Sequence, residues 1–260
     1  MTRPGELVAL EVNGEQIDLA AVLRPAKVAG RLQFIQDALD AALVRQAAAR
    51  RDIEPTDEEL QAAADEFRTA RELYDAAATE AWLAGHFLSY EDWEAWLEQD
   101  VRTRKLREAL TADKVEQHFA VNRLSFDTAT ISELLAGDED VARELRLQIT
   151  DDGADFHALA RQHSRAAATR PAGGYVGAVR RADLAADAEA AVFGAKAGAL
   201  VGPFKDERGW VLFKVEAVQR GALDDATREQ IKTQLFQEWL AEQRRKARVT
   251  YTLLAPATTD

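Results

Sequence analysis

The sequence predicts an α+β protein in which a compact central module lies between helical segments. Apolar residues recur at helical spacing in the first part of the chain and again near its end. Glycine-rich turns and apolar strand patterns cluster between these two helical parts, and short stretches of alternating apolar and polar residues lie near both ends of the chain. We therefore expect a helical domain at 1–125, a module of strands and short helices at 126–220, and a helix and strand at 221–260 that return to the first domain.

Composition and charge narrow the classes of function. The 260 residues carry a formal net charge of −12 and no cysteine. The acidic balance argues against nucleic acid and anionic membranes as partners, and the lack of cysteine excludes thiol chemistry. No stretch approaches the ~18 apolar residues of a membrane span, and the first residues lack the apolar core of a signal peptide. We expect a cytoplasmic protein, or a periplasmic or exported one if a signal peptide has been removed.

The N-terminal residues predict a hairpin followed by a helix. Val8–Val12 and Glu15–Ile17 read as strands around Asn13-Gly14, a pair typical of a type I′ turn. Pro25 stands at a predicted helix start. The apolar residues on the buried face of this helix are Val28, Leu32, Ile35, Leu39 and Leu43.

Two further helices of this domain are predicted by their start signals. Thr56 with Glu59 three residues later has the spacing of a capping box, and Ser89 with Asp92 has the Ser/Thr-x-x-acid pattern of a helix start. We expect an amphipathic helix after each pair.

The C-terminal segment predicts one long helix at 224–248 and a strand at Val249–Leu253, where apolar residues alternate with threonine. A lone strand leaves its backbone groups unpaired. We therefore expect it to pair with Val8–Val12.

The central module predicts the order strand, helix, helix, strand, helix, strand, strand. In the first helix we expect Val141 and Leu145 to face inward. The predicted elements are a strand at 127–135, helices at 138–150 and 155–163, a strand at Tyr175, a helix at 187–195 and paired strands near Leu200 and Trp210.

Four pieces of the module, taken in order, resemble the parvulin type of peptidyl-prolyl cis/trans isomerase domain. They are the short helix within 153–160, the glycine-rich turn and strand at 172–177, the Gly-Ala-Leu-Val-Gly-Pro-Phe segment at 198–204, and the strand at 209–215. The helical segments on both sides make the layout similar to the SurA and PrsA type of chaperone-isomerase. The resemblance implies an unfolded or extended polypeptide as partner.

The resemblance also indicates where the family places its catalytic side chains. Its first histidine matches a position near Ser132, its Cys or Asp matches Ala166, and its last histidine matches Val211. The methionine of its proline pocket matches Leu184, and the phenylalanine matches Ala188. Since the family's polar side chains are replaced, we expect a degenerate isomerase site on a peptide-binding chaperone or foldase.

Client binding is expected to use apolar side chains of both domains. The candidates are Leu184, Ala188, Phe193 and Trp210 in the module, with Trp93 and Trp96 in the helical domain, where both tryptophans can show on one helix face. The alternative for the helical tryptophans is a place in the core.

Two other functions stay open. One is a working isomerase that uses Ser132 and backbone groups, and the other is an accessory protein of a peptide maturation or secretion pathway. No cofactor or metal is expected, because the sequence has no glycine-rich phosphate loop and no zinc spacing. His157 and His163, six residues apart on a predicted helix, point to different faces.

Overall fold

A computed structural model of the protein describes residues 7–250. The chain divides into two compact units: a helical unit at 1–113 with 232–260, and a sheet unit at 114–231. Helices and antiparallel strands together confirm the predicted α+β class.

Between residues 7 and 113, the helical unit contains a hairpin and five α-helices. Its elements are β1 (Val8–Val12), β2 (Glu15–Asp18), α1 (Leu19–Val28), α2 (Gln33–Ala49), α3 (Asp57–Ala70), α4 (Ala76–Gly85) and α5 (Tyr90–Thr111). The helix α10 (Asp225–Lys246) begins in the sheet unit and ends in the helical one.

The predicted hairpin is confirmed. β1 and β2 pair antiparallel, and the turn residues Asn13 and Gly14 both have positive φ, at 52° and 88°. A type I′ turn requires this conformation at both central positions.

The helix predicted to start at Pro25 is wrong. α1 begins at Leu19, because the Asp18 side chain accepts a hydrogen bond from a backbone N–H of the first turn. It ends at Val28, and Gly30 just beyond it has a φ of +66° that allows the N–H of Arg31 to reach the carbonyl of Ala26. A separate helix, α2, then begins, so the regular apolar spacing runs across a break between two helices.

Both predicted helix starts are confirmed, and one helix between them was not predicted. Thr56 with Glu59 opens α3, and Ser89 with Asp92 opens α5, each with reciprocal bonds between side chains and backbone. α4 is opened by Asp75, whose carboxylate accepts a backbone N–H at 2.7 Å.

The second half of α10 packs on α2 and α5. Phe236 and Leu240 share a buried cluster with Val44, Ala47 and Leu106, and Arg244 forms an ion pair with Asp40. Of the strand predicted at 249–253, the described residues 249 and 250 have no regular structure, and the remainder lies outside the described residues.

The sheet unit is built around four antiparallel strands in the order β4-β3-β6-β5. Its order of strands and helices agrees with the predicted module, after a short leading helix. The elements are α6 (Val115–Val121), β3 (Thr128–Ala136), α7 (Glu139–Thr150), α8 (Phe156–His163), β4 (Tyr175–Arg180), α9 (Ala186–Gly194), β5 (Leu200–Asp206) and β6 (Gly209–Gln219).

Side chains of this sheet alternate between two faces. On the face that packs against α9, which we call the α9 face, Leu135 of β3 lies beside Val211 of β6. On the opposite face, called the α8 face, Leu134 and Leu212 pack against α7 and α8. Val141 was expected to face inward but is 46% exposed. The inward residues of α7 are Ala142 and Leu145, one helical turn apart.

Candidate functional site

The α9 face brings together most of the module's predicted site residues. Ala166, Ala188, Phe193 and Val211 are buried members of one cluster, with exposed fractions between 2% and 8%. Leu184 is half-buried and packs against them. This part of the predicted site is therefore a continuous apolar surface that lies largely inside the core.

Ser132 does not share that surface. It is fully buried, and its hydroxyl donates to Glu216 at 2.8 Å. Its position in β3 is paired with Lys214, whereas the next residue, Glu133, is paired with Phe213 of the apolar cluster. A shift of one residue along a strand exchanges the faces. Of these two neighbours, Glu133 is the one that shares the face of Val211.

Trp210 is also placed away from the apolar cluster. It is paired with Ala136 and precedes Val211, so strand alternation puts it on the α8 face. The ammonium group of Lys205 lies 6.0 Å from the centre of its ring. Trp210 is therefore a half-buried residue at the beginning of β6, on the other face from Val211.

An ionic network borders the α9 face, and the sequence analysis missed it. The carboxylate of Glu133 accepts a hydrogen bond from the hydroxyl of Thr169 at 2.9 Å and lies 3.1 Å from the guanidinium of Arg208. Arg208 also donates to Asp206 at 2.8 and 3.0 Å. The available signal was Glu133 itself, a charged residue that alternation with Ile131 and Leu135 of the same strand places on a buried face.

The charges of this network stabilise one another. Burial would raise the pKa of Asp206, but hydrogen bonds from Arg208 hold it below the ordinary value. The pKa of the Arg208 guanidinium is raised, first by its hydrogen bond to Asp206 and then by that to Glu133. Asp206 and Arg208 are therefore ionised at neutral pH.

A second polar cluster lies on the α8 face around His157. Its Nδ1 lies 2.9 Å from the carbonyl of Gly173, which can only accept, so Nδ1 carries a proton. Its Nε2 lies 3.1 Å from the ammonium of Lys214 and 3.4 Å from Glu216. The hydrogen bond from His157 to Gly173 thus links α8 to the glycine turn. Among residues 7–250, no group of three or more His, Cys, Asp or Glu is placed to hold a metal ion.

The glycine turn positions the loop that borders the site. Gly174 has a φ of +85°, and a Cβ built there would lie 2.2 Å from the carbonyl oxygen of Glu133. The N–H of Glu133 donates to the carbonyl of Gly174 at 2.7 Å. Only glycine allows this approach without displacement. The turn thereby holds Ala166 and Thr169, which lie on the loop before it, next to β3.

The two candidate tryptophans of the helical unit have different environments. Trp93 is 5% exposed and belongs to the core with Leu97, whereas Trp96 is 51% exposed. The ring of Phe67 contacts both of them, with centroid distances of 5.5 and 5.6 Å. Of the two tryptophans expected on one exposed face, Trp96 is exposed, whereas Trp93 has the alternative place in the core.

No helix among the described residues is long and apolar enough to cross a bilayer.

Comparisons with known proteins support the resemblance. Residues 128–217 match the family described as "Rotamase: PPIC-type PPIASE domain". The chain is similar to foldase protein PrsA of Clostridium kluyveri, 28% identical over 181 residues, which are 66% of this chain and 52% of that protein. It is similar to PrsA of Caldanaerobacter subterraneus subsp. tengcongensis, 26% identical over 116 residues, which are 45% of this chain and 38% of that protein. The chain thus spans about half the length, or less, of these curated relatives.

Among solved structures, the fold is similar to that of PrsA from Bacillus cereus. The TM-score is 0.45 at 18% identity, and the likeness covers 95% of each chain.

Proposed function

We propose, from the membership of residues 128–217 in the parvulin-type peptidyl-prolyl isomerase family, that this chain acts as a foldase or chaperone. It binds extended or unfolded polypeptide and has little or no isomerase activity. The foldase part is supported by the sequence similarity to PrsA proteins. The loss of activity is supported by the composition of the α9 face.

That composition is the observation on which the proposal depends. Rotation about a peptide bond to proline meets a barrier of ~18–20 kcal/mol set by amide resonance. A catalyst lowers it with preorganised polar groups and a surface complementary to the twisted amide. Ala166 and Val211 stand where the resemblance implies a Cys or Asp and a histidine, and both are buried among apolar neighbours. Their side chains supply neither hydrogen bonds nor charge.

A working isomerase is the second candidate, and one observation favours it. The network of Glu133, Thr169 and Arg208 places charged and hydrogen-bonding groups beside the same apolar face. Ser132 is the less suitable participant, because it is fully buried and bonded to Glu216 on the other face.

A protease-coupled isomerisation assay on prolyl peptides separates the two candidates. We expect a relaxation rate that does not rise above the uncatalysed rate as the protein concentration increases. The same preparation should bind a permanently unfolded, carboxymethylated protein and delay its aggregation. A rate proportional to protein concentration would establish the second candidate. A lack of binding to the unfolded protein would refute the foldase proposal.

A further inference from the structure

A cleft between α3 and α5 lies within the helical unit. Its volume is about 290 Å³, at the small end of ligand pockets and suited to one long side chain. The buried residues that line it are Ala64, Trp93 and Leu97, joined by the half-buried Leu60. These apolar surfaces can hold the hydrocarbon part of a side chain.

The polar lining of the cleft is mostly acidic. It contains the carboxylates of Asp57, Glu94 and Glu98 and one cation, Arg68. Among residues 7–250, Asp57 and Glu94 have no ion-pair partner, whereas Glu98 lies 3.8 Å from Arg102. Three negative charges against one positive charge leave the lining with a net charge of −2.

Trp93 supplies a second and independent feature. It is 5% exposed, and its indole nitrogen is buried without a hydrogen-bond acceptor among the described residues. A buried donor without a partner costs about 1–3 kcal/mol, which a carbonyl from a ligand would recover. The guanidinium carbon of Arg68 lies 5.1 Å from the centre of the ring, so this ring already accommodates a cation.

Arg68 does not close the cleft firmly. Its ion-pair partner is Asp65 on the preceding turn of α3, at 3.0 Å, and the side chains of Arg68 and Asp65 are 33% and 62% exposed. Exposed pairs of this kind are worth about 0–1 kcal/mol. A bound ligand can therefore displace the Arg68 side chain from the Trp93 ring at small cost.

We infer that this cleft binds a lysine or arginine side chain of an extended client peptide. The stem of the basic residue packs on Leu60 and Leu97, its charged head meets Asp57 and Glu94, and a main-chain carbonyl of the client accepts the indole N–H. An acidic client residue is repelled by the same carboxylates. The inference rests on the proposed client binding and adds the chemical class of residue that the helical unit selects.

The test uses the full chain and three fluorescently labelled peptides that differ only at the central position, which is lysine, norleucine or glutamate. Binding is measured by anisotropy at low and at high salt. We expect the lysine peptide to bind the wild type most tightly, with a preference that salt reduces. Glu94→Gln should weaken the lysine peptide about two- to fivefold and leave the norleucine peptide unchanged.

The matched control is Glu91→Gln, which makes the same change of charge on the same helix at a residue outside the cleft. It should leave the lysine preference intact. Trp93→Phe keeps a ring and removes the N–H, so it should weaken the lysine and norleucine peptides by the same factor. Circular dichroism verifies folding, and Asp57→Asn replaces Glu94→Gln if the latter variant does not fold.

The outcomes separate this inference from the proposed function. If Glu94→Gln changes lysine binding no more than Glu91→Gln does, the cleft is not the site. If the wild type binds all three peptides equally, the inference fails and the client-binding proposal stands. If the wild type binds none of them, both fail.

Discussion

Glu133 and Arg208 form an ion pair of 3.1 Å on the same face of the sheet as Val211. The Glu133 side chain is 8% exposed, and that of Arg208 is 52% exposed. A buried carboxylate depends on its cation for compensation, whereas the half-exposed cation can still turn to water. Loss of Arg208 therefore leaves a buried carboxylate without a cation, whereas loss of Glu133 leaves a guanidinium that water can solvate.

Arg208→Gln should lower the free energy of unfolding by about 1–3 kcal/mol, because it leaves the Glu133 carboxylate buried without a cation. We expect a value in the lower part of this range, because the Arg208 side chain is half exposed to water. Urea denaturation provides the measurement. Glu207→Gln, at the exposed neighbouring position, is the control and should change stability by less than about 0.5 kcal/mol. Equal effects of the two substitutions would show that the ion pair has no stabilising role.

Isomerase activity should return only when histidines are placed on the α9 face. We expect Glu133→His combined with Val211→His to raise the isomerisation rate about tenfold above that measured with the wild type, which corresponds to about 1.4 kcal/mol of transition-state stabilisation. Ser132→His combined with Val211→His should not, because position 132 lies on the other face. The protease-coupled assay compares the two double variants, each verified as folded. Equal rates for both would mean that the face of the sheet does not determine activity.

Gly174→Ala should destabilise the sheet unit by more than about 2 kcal/mol, because the methyl group meets backbone at a positive φ. Gly194→Ala is the matched control. A Cβ at position 194 meets nothing within 4 Å, and the residue ends α9, so this change should be neutral or slightly stabilising. Thermal unfolding measures both. A small effect at position 174 would mean that the turn can move away from β3 without cost.

Because of Asp127, the free energy of unfolding of the sheet unit should depend on pH in the acid range. Its side chain is 1% exposed and accepts hydrogen bonds from Arg181, Arg220 and the N–H of Gly221. Burial would raise the pKa of Asp127, but these hydrogen bonds hold it below the ordinary value. A depressed pKa in the folded state means that the stabilisation is present above the unfolded pKa of about 4 and is lost as the pH falls through the folded value.

We therefore expect Asp127→Asn to cost about 3 kcal/mol at pH 7, where a buried ionic network is broken. The difference between wild type and variant should shrink as the pH falls below about 4. Urea unfolding at a series of pH values measures it. A difference that stays constant down to pH ~2 would show that the charge of Asp127 contributes nothing.

Local signals were sufficient for much of the fold. Asn13-Gly14 determined the hairpin, because its backbone preference matches the turn whatever surrounds it. Thr56 and Ser89 determined the starts of two helices through bonds to residues three positions away. The order of strands and helices in the module also followed from the sequence, since each element carries its own periodicity and its own glycine breaks.

The tertiary structure decided which residues meet. Whether Ser132 or Glu133 shares the face of Val211 depends on the register of β3 against β6, partners more than seventy positions apart along the chain. The burial of Trp93 beside the exposed Trp96 depends on where α3 packs against α5. The local sequence determines what each segment can form, and long-range packing determines which of its side chains become a site.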